Sequence, residues 1–227
     1  MRKVEADKQA PGLRERGKRD RLRRLHQAAA EVFRTRGYDA ATTRDIAQLA
    51  DVSVGTLFVY ARDKRDLLFL VINDDLDEVL ARALVAAGRP GTLLDQLARL
   101  LGPIYIYFAS EPELARPALR EVVHYDWPED PGIGEQAQRY MRRMETWQDT
   151  IAAMLAGADK AGQLRLDAPA GLVARVLFDI HLVEVRRWMS VGQPDPAQGQ
   201  AMLRQMYAIV LEHRLAAAGQ QLATSCG

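Results

Sequence analysis

The chain has a single cysteine, Cys226, in 227 residues. One thiol cannot close an intramolecular disulfide, which fits a reducing compartment. No apolar run approaches the roughly 20 residues that a membrane-spanning helix needs. The N-terminus has no apolar signal-peptide core, so the cytoplasm is the expected compartment. A glycine-rich phosphate loop and a G-x-S-x-G turn are also missing. His124, His181 and His213 are scattered, and no His/Cys/Asp/Glu group has the spacing of metal ligands. These absences leave no catalytic residue, no metal and no cofactor to assign. There is no internal repeat, no low-complexity stretch and no convincing strand pattern. The expected fold class is therefore all-α, with about nine helices read from apolar periodicity and breakers. At this length the chain can bury a sizeable core, as one large or two smaller units.

Net charge is close to zero, but its distribution is uneven. Through Asp66 there are 16 Lys/Arg against 10 Asp/Glu, and from Leu67 onward 15 against 20. Such asymmetry points to a nucleic-acid partner for the first part, or to a solvated charged tail. The neighbouring sequence favours the first. In TTRDIAQLADVSVGTLFVYARDK, Thr42 to Lys64, Thr42 or Thr43 can cap a short helix, with Asp45 three residues after Thr42 approximating a capping box. Ile46, Ala47, Leu49 and Ala50 supply its apolar face. Asp51-Val52 forms a turn, and Ser53 caps a second helix from Val54 to Tyr60 that is too short to stand alone. Short helices on a support are how helix-turn-helix proteins present residues to a DNA groove.

The run from Thr42 to Leu68 resembles the DNA-binding segment of the TetR family of bacterial transcriptional regulators. The shared features are T-x-x-x-I-A, V-S-x-G-T-L, an aromatic pair and K-x-x-L-L at the next helix start. With the preceding helix, the match covers roughly the first third of the chain. Asp51 stands where the family usually has Gly, Phe58 replaces the usual first Tyr, and Ala61 the usual Phe. The resemblance implies that the helix from Val54 enters the major groove of double-stranded operator DNA. Gly55 would allow close approach, Val54 and Thr56 would face base edges, and Arg44 would reach a guanine or a phosphate. Thr43, Ser53, Tyr60 and Lys64 would hold phosphates, with Thr42 and Phe58 in the same contact set. A lysine in the first turn of a helix opposes the dipole, and a nearby phosphate would explain Lys64.

Around this segment the expected units are a disordered basic arm over 1–17, a helix-turn-helix domain over 18–66 and a helical ligand-binding and dimerisation domain over 67–227. The arm either trails across phosphates or has no fixed role. Lys18 to Arg36 reads as a supporting helix, with Leu22, Leu25, Ala29, Val32 and Phe33 on one face and Gly37 at its end. A long helix from Lys64, capped by Asp63, runs to about Ala87 and connects the two units. Thr92 to Ala109 is apolar and kinked at Pro103. Ser110-Glu111-Pro112-Glu113 reads as a capping box. His124 to Gly134 is a loop. Glu135 to Ala158 is amphipathic. Asp167 caps a broadly apolar helix to Val191, and Asp195-Pro196 opens the last.

Tyr105, Tyr107, Phe108, Tyr125, Trp127, Met141, Met144, Trp147 and Phe178 are either plain core or the lining of an apolar pocket. His124, His181 and Glu184 are its candidate polar handles, and His181 with Glu184 also reads as a hydrogen-bonded pair. The resemblance supports a small-molecule pocket and a homodimer joined through the last two helices, whose surplus apolar surface puts Val176, Val183 and Val210 at the centre. The candidate lining, dominated by Tyr107, Met144, Trp147 and Phe178, suggests a mainly apolar or aromatic effector. The expected function is a transcriptional repressor released from its operator by that effector. The alternative is a small-molecule-binding or catalytic helical protein whose helix-turn-helix is only structural.

Overall fold

The computed structural model describes the backbone over 13–123 and 133–224, and side chains over 15–122 and 133–212. Cys226 and His213 lie outside the described side chains, as does the run 124–132. Among the described residues there are nine helices and no strand: α1 Leu13–Arg36, α2 Thr43–Leu49, α3 Val54–Leu57, α4 Lys64–Ala87, α5 Leu93–Ser110, α6 Pro112–Val123, α7 Glu135–Lys160, α8 Ala170–Met189 and α9 Pro196–Thr224. None is long and apolar enough to cross a membrane.

The local signals formed the expected ends. Thr42 Oγ1 accepts from Asp45 N at 3.1 Å, and Asp45 Oδ2 accepts from Thr42 N at 3.2 Å, a reciprocal capping box on α2. Ser53 Oγ accepts from Thr56 N at 3.0 Å and caps α3, and Asp63 caps α4 through Asp66 N at 2.7 Å. Gly37 closes α1 at φ +79, a conformation that costs glycine little. Asp51 turns between α2 and α3 at φ +52. Only a residue tolerant of the left-handed region fits there, which accounts physically for glycine being usual and aspartate acceptable.

Other ends differ from expectation. α1 starts at Leu13, so residues 13–17 of the proposed arm are helical. Ser110 does not cap α6. Its hydroxyl donates to Tyr107 O at 2.7 Å, and the Glu111 carboxylate takes both arms of Arg34 at 2.9 and 3.0 Å. Pro169, not Asp167, precedes α8, without a side-chain cap. As expected, α5 is one helix with Pro103 inside it, and the Gly102 carbonyl accepts from Gln200 Nε2 of α9 at 3.0 Å.

α1, α2 and α3 enclose a small core in which Leu25, Phe33, Ile46 and Leu57 are completely buried. α4 leaves that core and enters the second. Six consecutive residues, Leu67 to Ile72, are buried because α1 lies on one side of α4, with α5 and α7 on the others. At roughly 1.5–3 kcal/mol for each fully buried large apolar side chain, this segment ties the two cores together. Further along, Asp77 of α4 pairs with Arg139 and Arg143 of α7. Burial works against its charge, but the two guanidiniums prevail and hold Asp77 below the ordinary carboxylate range. α8 and α9 pack against each other and against the body formed by α5 and α7.

Candidate functional site

α3 stands on Leu57, which is fully buried, and turns its other residues outward. Arg44, Ser53, Gly55 and Phe58 are exposed, and Thr43, Val54, Thr56 and Tyr60 are half-buried. Val59, 78% exposed, joins them, although the sequence offered no polar or aromatic signal to single it out. The Thr56 hydroxyl bonds Ser53 Oγ at 2.9 Å, so the capping residue also orients the threonine. Arg21 Nε donates to Tyr60 Oη at 3.1 Å, bringing a cation from α1 to the same surface.

Lys64 has partners within the chain. Its ammonium donates to the carbonyls of Tyr38, Asp39 and Ala41 at 2.9, 3.2 and 3.2 Å, and lies 4.6 Å from the Tyr38 ring centroid. Three acceptors in the α1–α2 connection therefore explain a lysine at this helix start without any phosphate. These bonds tie the start of α4 to the connection before α2. Lys64→Ala should cost about 2–3 kcal/mol of stability, since it removes charged hydrogen bonds from half-buried carbonyls. The salt dependence of DNA binding should keep its slope. A melting temperature equal to wild type, with one phosphate contact missing from the slope, would return Lys64 to the DNA-contact set.

Within the body, Ile104, Phe108, Leu119, Tyr140, Met144, Trp147, Phe178, His181, Leu182 and Val185 surround a cavity of about 20 Å³. This brings together five of the expected lining residues, Phe108, Met144, Trp147, Phe178 and His181. The volume suffices for about one water, so a larger guest must push the lining apart. Met144, half-buried and unbranched, is the most pliable wall. Burial drives the His181 pKa down to about 3, so its imidazole is neutral, and Nδ1 lies 3.4 Å from the Tyr105 hydroxyl. Tyr105 thus stands behind His181.

The remaining expected residues go elsewhere. Tyr107 faces α4 and donates to Asp75 Oδ2 at 3.3 Å. Met141 is half-buried outside the cavity lining. Glu184, itself buried, bonds Arg187 at 2.5 Å and not His181. His124, Tyr125 and Trp127 lie outside the described residues. Leu119 was missed because α6 carried no pocket signal of its own.

A second space is far larger. A cleft of about 790 Å³ separates the α1–α2 connection from α6 and the end of α8. Arg36, Arg116, Arg120 and Arg186 line it, against Asp39 and Glu113. Arg120 binds Asp39 through both arms, at 2.6 and 3.1 Å, and holds that exposed carboxyl below its usual range.

The outer face of α8 and α9 exposes Leu172, Val176, Val183, Met202 and Ile209, the valines at 44% and 48%. Val176 and Val183 line a groove of about 380 Å³ together with Asp179, Ile180, Glu184, Arg187 and Met206. Val210 is half-buried against the core, so Ile209 takes the outward position expected of it. Among the described residues no group of three or more His, Cys, Asp or Glu could hold a metal.

Residues 25–71 match the family described as bacterial regulatory proteins, tetR family. Over 195 residues, covering 82% of this chain and 87% of the relative, the sequence is 29% identical to the HTH-type transcriptional repressor KstR2 of Mycolicibacterium smegmatis. It is 26% identical to the repressor KstR of the same organism, over 76% of this chain and 78% of that one. Among solved structures, Thermus thermophilus FadR, a TetR family transcriptional repressor in complex with lauroyl-CoA, superposes with a TM-score of 0.61 at 27% identity, over 82% of this chain and 92% of that one.

Proposed function

Because the chain belongs to the TetR family of bacterial regulatory proteins, we propose that it is a homodimeric repressor in the cytoplasm that leaves its operator on binding an acyl thioester of coenzyme A. The observation that carries the DNA-binding part is the outward face of α3, with Ser53, Gly55, Thr56 and Phe58 held on a buried Leu57. The alternative, a helix-turn-helix that is only structural, leaves that presentation without a use. Two half-sites about 34 Å apart would be read by the two α3 helices of a dimer. Lauroyl-CoA in the Thermus relative and the apolar lining of the inner cavity both support an acyl effector. The reading has no catalytic step.

Binding in the body can release DNA only if the ligand favours a spacing of the two reading helices that misfits the half-sites. A coupling of about 1–3 kcal/mol would weaken operator binding roughly 5- to 150-fold, and operator would weaken the ligand equally. The test is selection from random duplexes with the purified protein, then titration of the selected operator with and without lauroyl-CoA. A selected sequence released by the thioester is the expected result. Equal ligand affinity with and without operator would refute the control mechanism. In addition, Met144→Trp should fill the inner cavity, abolish release and leave operator binding in place. Release that survives this change would move the acyl site away from Met144.

A further inference from the structure

The inner cavity is too small for a thioester and offers no partner for phosphates. The larger cleft supplies what it lacks. Its volume of about 790 Å³ falls in the range of small-molecule sites, and four guanidiniums face two carboxylates in its wall. Guanidinium forks match phosphate oxygens in pairs. The cleft and the cavity also adjoin: Leu119, buried on α6, belongs to the lining of both. One turn of α8 separates Leu182 and Val185 on the apolar side from Arg186 and Met189 on the charged side. A ligand with an apolar end and a phosphate end would find two matching compartments that adjoin at Leu119.

We propose that this cleft binds the nucleotide and diphosphate end of a coenzyme A thioester, and that the phosphates take Arg120 from Asp39. The inference rests on the effector class proposed above and locates the polar half of that ligand. Arg186 is the most available partner: it is half-buried, and its guanidinium donates to the carbonyl of Leu182 in its own helix at 3.0 Å. Arg36 pairs with Asp45 at the surface at 3.0 Å. Arg116 is more constrained, since it donates to the carbonyls of Met189, Val191 and Gly192 at the end of α8. The Arg120–Asp39 pair is a surface contact of small net value, so a phosphate can displace it. Asp39 lies in the connection that Lys64 also holds, directly before α2. Its release loosens the mounting of the reading helix from the ligand side.

The experiment is calorimetric titration of the full chain with coenzyme A lacking any acyl group, with adenosine 3′,5′-bisphosphate and with inorganic phosphate. Wild type should bind coenzyme A and the bisphosphate and bind inorganic phosphate far more weakly. Arg186→Ala should weaken coenzyme A binding at least about tenfold, the loss expected of one charged hydrogen-bond pair. Arg186→Lys should fall between the two, which a merely structural role would not give. Asp39→Asn should shift affinity the other way, tightening coenzyme A by about two- to fivefold, because it frees Arg120 from a surface pair. Equal coenzyme A affinity in wild type and Arg186→Ala, or inorganic phosphate binding as well as coenzyme A, would overturn the assignment. If coenzyme A binds with Arg186 dependence but lauroyl-CoA leaves the operator occupied, the cleft stands and the proposed effector class fails. If lauroyl-CoA releases the operator equally from wild type and Arg186→Ala, the effector class stands and the cleft assignment fails.

Discussion

In the proposed homodimer, Val183→Glu should leave a monomer and lower operator affinity by more than about a hundredfold. In a single protomer Val183 is 48% exposed, and Val176 lies two turns earlier on the same strip of α8 at 44%. Leu172, Met202 and Ile209 extend the apolar surface onto α9. Across the proposed two-fold axis the same strip would meet itself, so one substitution would set two carboxylates against each other in an apolar contact. A monomer then holds one half-site. It loses the effective concentration that links two sites, a factor on the order of 10²–10⁴. Sedimentation velocity at micromolar concentration and fluorescence anisotropy on a two-half-site duplex measure both effects. A dimer that persists with unchanged operator affinity would place the interface on another face. Arg44→Ala, by contrast, should leave the dimer intact and weaken DNA binding only.

Asp66→Ala should have the largest effect on stability. The Asp66 carboxylate is 3% exposed. It accepts from Gln136 N and Ala137 N at 2.9 and 3.0 Å, and from Arg62 N at 3.1 Å. It therefore caps α7 from outside, where Gly134 has no side chain to do so, and fastens the segment after α3 to the body. A Cβ on Gly134 would fall 2.2 Å from the carboxyl carbon of Asp66, so glycine is required for this approach. Burial raises the Asp66 pKa, and the three N–H donors only partly oppose it. The sign follows from linkage: a carboxyl with a raised folded pKa loses stability as pH rises from its unfolded pKa through its folded one. Truncation does not recover that cost, because three N–H groups then lose their acceptor at about 1–3 kcal/mol each. The expected loss is about 3 kcal/mol or more. For a chain of this size it lowers the melting temperature by roughly 6–12 °C. Thermal unfolding of wild type, Asp66→Ala and Gly134→Ala at pH 7 checks this. A shift under about 2 °C in both variants would show that solvent replaces the carboxylate.

Every feature legible in the sequence was a short-range one. The caps at Thr42, Ser53 and Asp63 each join residue i to i+3, so spacing alone reveals them. The left-handed turns at Gly37 and Asp51 and the apolar stripe of α1 are equally local, and together they make the helix-turn-helix readable without coordinates. Lys64 and Asp66 show where that legibility stops. Both stand in the first turn of α4; the dipole argument suggested a phosphate beside Lys64, and nothing in the sequence marked Asp66. One reaches back to Tyr38 and the other forward to Ala137, across distances in sequence that no periodicity encodes. The same holds for the pocket. Aromatic and methionine residues on α5, α7 and α8 announced an apolar interior, but whether each side chain points inward depends on helix rotation. Packing turned Phe108 inward, Tyr107 toward Asp75 and Glu184 toward Arg187. The arginine cleft was invisible in the sequence, because its guanidiniums come from the end of α1, from α6 and from the end of α8. They form one site only because tertiary packing closes α6 against the α1–α2 connection and the end of α8.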